Sequence, residues 1–128
     1  MRILLDSHTL VWFLTGNTRC SPRAREAIEA PDAEVYVSAA SAWEIATKVR
    51  AGKWSEANEI ARDLDDVIVR HDFRPLAVTV EHGRLAGLLP GAHRDPFDRM
   101  LAAQAITEEM PLVTADPAFR HFEANVVW

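Results

Sequence analysis

The sequence predicts a three-layer α/β/α sandwich built on a central, mainly parallel sheet, with residues 1–128 forming a single domain. Short, nearly continuous apolar runs alternate with helix-patterned stretches, as expected of strands covered on both faces and joined by right-handed crossovers. No repeat, linker or low-complexity segment interrupts that order. A chain of 128 residues is also large enough for one buried core and too small for two.

The elements follow in order. Ile3 to Leu5 is a short apolar run and reads as the first strand, and His8 to Leu14 continues with helical spacing up to the turn signal Gly16-Asn17. Ser21-Pro22 opens the next helix, serine as N-cap and proline in the first turn, and Pro31-Asp32 ends it. Val35 to Val37 is the second strand. Residues 38–52 form a helix that stops at Gly52, and a further helix is expected from Ser55 to about Val69, with Ile60, Leu64, Val67 and Ile68 as its apolar stripe. Leu76 to Val78 reads as the third strand and Val80 to Leu88 as a short helix, before Leu89-Pro90-Gly91 breaks the chain into a loop. The next helix takes Asp95 as N-cap and Pro96 in its first position, and Leu112 to Thr114 and Val126-Val127 supply the last strands. Trp12 and Trp43 are expected to pack against the sheet, and Trp54 to be partly exposed.

Composition excludes several classes. Hydrophobic residues make up 48% and charged residues 26%, ordinary for a soluble globular protein. Cys20 is the only cysteine and cannot form an intramolecular disulfide. No apolar run reaches the roughly 18 residues that would span a bilayer, so a cytoplasmic protein is the expectation. The five histidines lack zinc spacing, and no glycine-rich phosphate loop is present. The net charge of −5 argues against a nucleic-acid partner only until the acids are assigned to a cation site, which would cancel much of it.

Four acids fall where a strand ends or a helix begins: Asp6, Glu44, Asp98 and Asp116. In an open parallel sheet that edge is where ligands bind, and carboxylates gathered there repel one another unless a cation such as Mg²⁺ or Mn²⁺ neutralises them. Each acid also has a plainer role. Asp6 can cap the helix that follows it, and Asp116 can start a turn. Glu44 sits at capping-box spacing from Ser41 and four residues before Lys48. Asp98 shares a helix face with Leu101, Ala102 and Ala105, where an uncoordinated carboxylate is expensive, whereas Asp95 is adequately explained as an N-cap that reaches the site through water. Ser7 and Thr114 are placed to hydrogen-bond the carboxylates, and Arg94 or Arg99 to hold a phosphate. A phosphoacceptor receiver domain also has an acidic Mg²⁺ pocket. It needs an aspartate ending its third strand and a lysine after its fifth, and here those strands end in Thr79 and Trp128.

The segments LLDSHTLVWFL, VYVSAASAWEIATKVRAGKW, HRDPFDRMLAAQA and PLVTAD, in that order and spacing, resemble the PIN domain, specifically the VapC-type toxin ribonucleases. The resemblance implies a small α/β/α nuclease that holds Mg²⁺ or Mn²⁺ on clustered acids and cuts RNA. By motif, those acids are Asp6 in LLDSH, Glu44 in SAWEIA, Asp98 heading DRMLAAQA, and Asp116 in TAD. It further implies a homodimer and an antitoxin protein that covers the site. A PIN-like module that binds RNA or a partner without cutting is the alternative.

Overall fold

The computed structural model describes all 128 residues. Its strands are β1 (Arg2–Leu5), β2 (Glu34–Ser38), β3 (Arg74–Leu76), β4 (Leu112–Val113) and β5 (Val126–Val127). Its helices are α1 (Ser7–Leu14), α2 (Pro22–Glu29), α3 (Ala39–Arg50), α4 (Asn58–Arg62), α5 (Leu64–Arg70), α6 (Val80–Leu88) and α7 (Pro96–Thr107), with 3₁₀ turns at Ser55–Ala57 and Pro117–His121. All strand pairs are parallel, in the order β3-β2-β1-β4-β5.

Side-chain alternation along the strands sorts the core into two layers. Ile3, Leu5, Val35, Val37 and Val113 face one side, where they meet Leu10 and Val11 of α1, Ile28 of α2, Ile45 of α3 and Leu64 of α5. Leu4 and Leu112 face the other, against Leu101, Ala102 and Ala105 of α7 and Phe119. Both sheet faces are therefore covered, which completes the sandwich. Leu4 is fully buried, so truncating it to alanine costs about 2–5 kcal/mol.

Local signals set the helix starts. Ser21 Oγ accepts from Ala24 N–H at 3.0 Å with Pro22 at the first helical position. Thr79 and His82 form a reciprocal capping box on α6, and Asp95 caps α7 ahead of Pro96.

Three expectations change. The helix expected over Ser55 to Val69 is broken into a 3₁₀ turn, α4 and α5, because Asp63 leaves helical geometry at φ −122°, ψ 27°. Its apolar stripe survives the break, since Ile60 and Leu64 stay in the core, Val67 is buried and Ile68 packs against the same cluster, so the periodicity recorded burial rather than backbone continuity. The third strand lies at Arg74–Leu76, two residues before the apolar triplet at Leu76 to Val78. It is an edge strand, where Pro75 is tolerated and little apolar character is needed. Trp43 does not pack against the sheet: it is 66% exposed on the outer side of α3, with its ring edge-on to Phe97 at 4.9 Å.

Candidate functional site

From β1 the chain moves outward through β2 to β3, then returns to lay β4 on the other side of β1. The crevice beyond the carboxyl ends of β1 and β4 is thus the point where the order reverses, the usual ligand position in such sheets. Asp6 is the first residue past β1 and Thr114 the first past β4. The Asp6 N–H donates to the Val113 carbonyl at 3.2 Å, and the Thr9 hydroxyl donates to the same carbonyl at 2.9 Å. The Asp6 carboxylate caps α1 by accepting from Thr9 N–H at 2.7 Å and also accepts from the Thr114 hydroxyl. Burial pushes its pKa up from the ordinary carboxylate value, and the hydrogen bonds from Thr114 and Thr9 oppose that push.

Glu44 lies in the middle of α3 and is 4% exposed. Its Oε1 accepts from the Ser7 hydroxyl at 2.6 Å, and its Oε2 from Lys48 Nζ at 2.5 Å. The capping-box explanation fails here. Ser38 is the N-cap of α3, accepting from Ala40 N–H at 3.0 Å, and Ser41 is inside the helix. The i,i+4 pairing with Lys48 does form, and Lys48 brings a cation to the pocket wall. One turn before Glu44 and on its face, the buried Ser41 hydroxyl has no hydrogen-bond partner.

Asp98 occupies the first turn of α7, and its Oδ2 pairs with His93 Nε2 at 2.9 Å. Asp95 accepts from Phe97 N–H at 2.9 Å and Asp98 N–H at 3.1 Å, as an N-cap should, while still lining the pocket. The Asp98 pKa is pushed up to about 6, first by burial and then by the charges of Asp95, Glu44 and Asp116, against the hydrogen bond from His93. Asp116 caps the 3₁₀ turn that follows it, accepting from Ala118 N–H at 2.9 Å, and is exposed.

Asp6, Glu44, Asp95, Asp98 and Asp116 all line one pocket, together with Ser7, His8, Trp12 and Lys48. No three of the chain's Asp, Glu, His or Cys side chains are gathered tightly enough to chelate an ion as they stand. Each acid accepts from a protein donor: Asp6 from Thr9, Glu44 from Ser7 and Lys48, Asp95 from Phe97 and Asp116 from Ala118, while Asp98 pairs with His93. The donor set still suits a hard divalent cation, since it offers carboxylate oxygens without thiolates, and a cation there would offset both the burial and the neighbouring charges that raise the Asp98 pKa.

Thr114 stands behind Asp6 rather than in the pocket, and Arg94 and Arg99 are not among the pocket's residues. Arg94 is exposed. Arg99 donates from Nε to Ala86 O at 2.9 Å, from Nη1 to His93 O at 2.9 Å, and from Nη2 to Leu89 O at 2.5 Å and Gly87 O at 3.4 Å. Its fork is spent on backbone carbonyls, which corrects the phosphate-binding role expected of it: Arg99 pins the loop that carries His93. Sequence reasoning also missed Gln104, which is fully buried on α7. It accepts from the Ser38 hydroxyl at 2.5 Å and donates to Ala77 O at 3.2 Å, tying the helix of Asp98 to the start of the helix of Glu44. Its only sequence signal is a polar residue inside an apolar helical face.

Comparison with known proteins gives the same order of elements and acids a context. The PIN domain family matches residues 3–125. Ribonuclease VapC22 of Mycobacterium tuberculosis (strain ATCC 25618 / H37Rv) is 32% identical over 130 residues, covering 98% of both chains. Among solved structures, VapBC2 from Rickettsia felis bound to a DNA fragment from their promoter matches with TM-score 0.72 at 19% identity, over 98% of this chain and 97% of that one. FitAcB from Neisseria gonorrhoeae matches with TM-score 0.64 at 21% identity, over 98% and 96%. The two structures share the fold, and the family match and the full-length relative add descent, so this chain belongs to the PIN domain family.

Proposed function

We propose that the protein is a Mg²⁺- or Mn²⁺-dependent endoribonuclease acting as the toxin of a toxin–antitoxin pair. The observation that carries this reading is the meeting of Asp6, Glu44, Asp98 and Asp116 on one pocket at the sheet's switch point, in a chain similar over its whole length to Ribonuclease VapC22. In this reading Asp6 and Asp98 hold the ion, with Glu44 and Asp116 binding directly or through water, because Mg²⁺ keeps several of its waters. When bound, the ion would acidify and orient an attacking water and offset the charge of the phosphodiester. The chain's own groups prepare the carboxylates: Thr114 and Thr9 fix Asp6, Ser7 and Lys48 fix Glu44, and His93 steadies Asp98. Asp95 stays behind as the cap that orients the first turn of α7.

A cognate antitoxin is proposed from the likeness to VapBC2 and FitAcB, and a homodimer from the exposed apolar side of α3 and α7 around Trp43 and Phe97. No helix is long and apolar enough to cross a membrane. A cytoplasmic location is proposed because that is where the RNA substrate is.

The test is cleavage of total cellular RNA by purified, antitoxin-free protein in Mg²⁺, Mn²⁺ or EDTA, with Asp6→Asn alongside and cut sites mapped by end sequencing. Discrete cuts that need both the metal and Asp6 are expected. No cleavage by folded protein would leave a binding module as the better reading.

A further inference from the structure

The pocket that holds the acids also has an aromatic wall. His8 and Trp12, one turn apart on α1, line it together with Lys48. The His8 ring rests on Trp54 with centroids 4.5 Å apart and planes at 31°, and stands 5.6 Å from Trp12, which is in turn 6.0 Å from Trp128. A continuous chain of four rings therefore forms, two of which, His8 and Trp12, line the site. Two cations lie against it: Lys48 Nζ is 5.7 Å from the centre of the Trp54 ring, and the Arg19 guanidinium 5.9 Å from that of Trp12.

Closing the core is the ordinary use of such rings, and it explains part of this cluster. It does not explain His8, which is exposed to solvent. It also leaves Trp12, Trp54 and Trp128 only partly buried, while Leu10, Val11 and Ile45 of the same core cluster are fully enclosed. An exposed flat ring, backed by an indole and flanked by cations beside a phosphodiester-cutting pocket, has the chemistry of a single-strand platform. Bases stack on such rings whatever their sequence, and the cations meet the backbone.

We propose that His8, held on Trp54, is a stacking platform for an unpaired nucleobase next to the scissile phosphate, with Lys48 and Arg19 contacting the RNA backbone. The inference rests on the ribonuclease reading and deepens it by naming the ring that would hold a base beside the cut, a role that a continuous duplex, whose bases are already stacked, cannot engage. Imidazole charge is not needed for this role, so a phenyl ring at position 8 should serve.

Binding is read by fluorescence anisotropy of a fluorescein-labelled single-stranded oligoadenylate, with duplex RNA as control. The Asp6→Asn background keeps the platform and removes cleavage. His8→Ala should weaken single-strand binding about tenfold or more, the size of one lost stacked base, His8→Phe should restore it, and duplex should bind poorly throughout. In the otherwise wild-type protein, His8→Ala should raise KM on a cleaved RNA while kcat stays within about twofold. Circular dichroism checks that each variant is folded, and quenching of indole fluorescence on oligoadenylate binding gives a second readout that needs no variant.

Equal binding by all three residues at position 8, or a His8→Phe protein as weak as His8→Ala, would overturn the platform. So would a His8→Ala defect confined to holding the antitoxin, which would assign the wall to a protein partner. If the wild-type protein binds oligoadenylate in this pattern but cuts no RNA, the platform stands and the nuclease reading falls.

Discussion

Asp6 takes its position from two central strands, two threonines and the start of α1, whereas Asp98 takes its position from one turn of α7 and a histidine on an irregular loop. The first is almost sealed from solvent at 6% exposure, and the second is 18% exposed in its side chain. The sheet end cannot move without breaking the β1–β4 pairing, while the α7 end depends on a loop that Arg99 holds by its carbonyls. In the proposed metal site one carboxylate is thus held by the sheet and the other is left adjustable, which would suit a cation that prefers near-ideal octahedral geometry.

The largest effect should come from the rigid end. Asp6→Asn keeps an acceptor for Thr9 N–H and can donate its amide to Thr114, so it should fold normally. Its RNA cleavage should fall more than about 100-fold, beyond the usual loss from removing a metal's outer partner. Its thermal midpoint should be unchanged or higher, since burial already disfavours the charged carboxylate. Retained cleavage would break the comparison at its stronger side.

Next come the groups behind the two acids. Thr114→Val removes a donor from a buried carboxylate and should weaken Mn²⁺ binding about 10–100-fold by calorimetry. His93→Ala should weaken it only a few-fold, because Asp98 keeps partial access to water. Equal losses would show that the two ends are equally rigid.

Proton linkage gives a smaller effect. Asp98 titrates at about 6 in the fold against 3.8 in an unfolded chain, so between those values the native state binds more protons. The stability this group contributes is fully present below its unfolded value and is lost as the pH rises through about 6. Urea midpoints in EDTA should therefore fall from pH 4.5 to 7, and Asp98→Asn should flatten part of that slope. Asp6 shifts in the same direction and adds to the slope. Mn²⁺ affinity should run the opposite way, dropping as the pH falls below about 6, because the ion needs the ionised carboxylate.

The smallest expected effect is that of Arg99→Lys. A single ammonium cannot reproduce a fork that reaches four carbonyls, so stability should drop by about 1–2 kcal/mol in urea unfolding, with cleavage reduced only modestly.

Much of the fold was legible because parallel strands buried on both faces carry their own signature, and Ile3 to Leu5 and Leu112-Val113 lie where the apolar runs put them. Strand ends then located Asp6 and Asp116, and the Asp-Pro pair marked Asp95 as the cap of α7. What escaped was whatever depends on three-dimensional neighbours. The edge strand β3 needs hydrogen bonds to Tyr36, Val37 and Ser38 more than apolar side chains, so hydropathy misplaced it. Trp43 is large and apolar, and nothing local says that its side of α3 faces away from the sheet. The carbonyls that hold Arg99 come from a helix end and a loop with no pattern to read.

The hydrogen bond between Thr114 and Asp6 joins residues 108 positions apart. Closing so long a loop is rewarded only when most of the intervening sandwich is in place. The Asp6 carboxylate is therefore seated by the completed fold and not by its own segment alone: its position reports whether β4 lies beside β1.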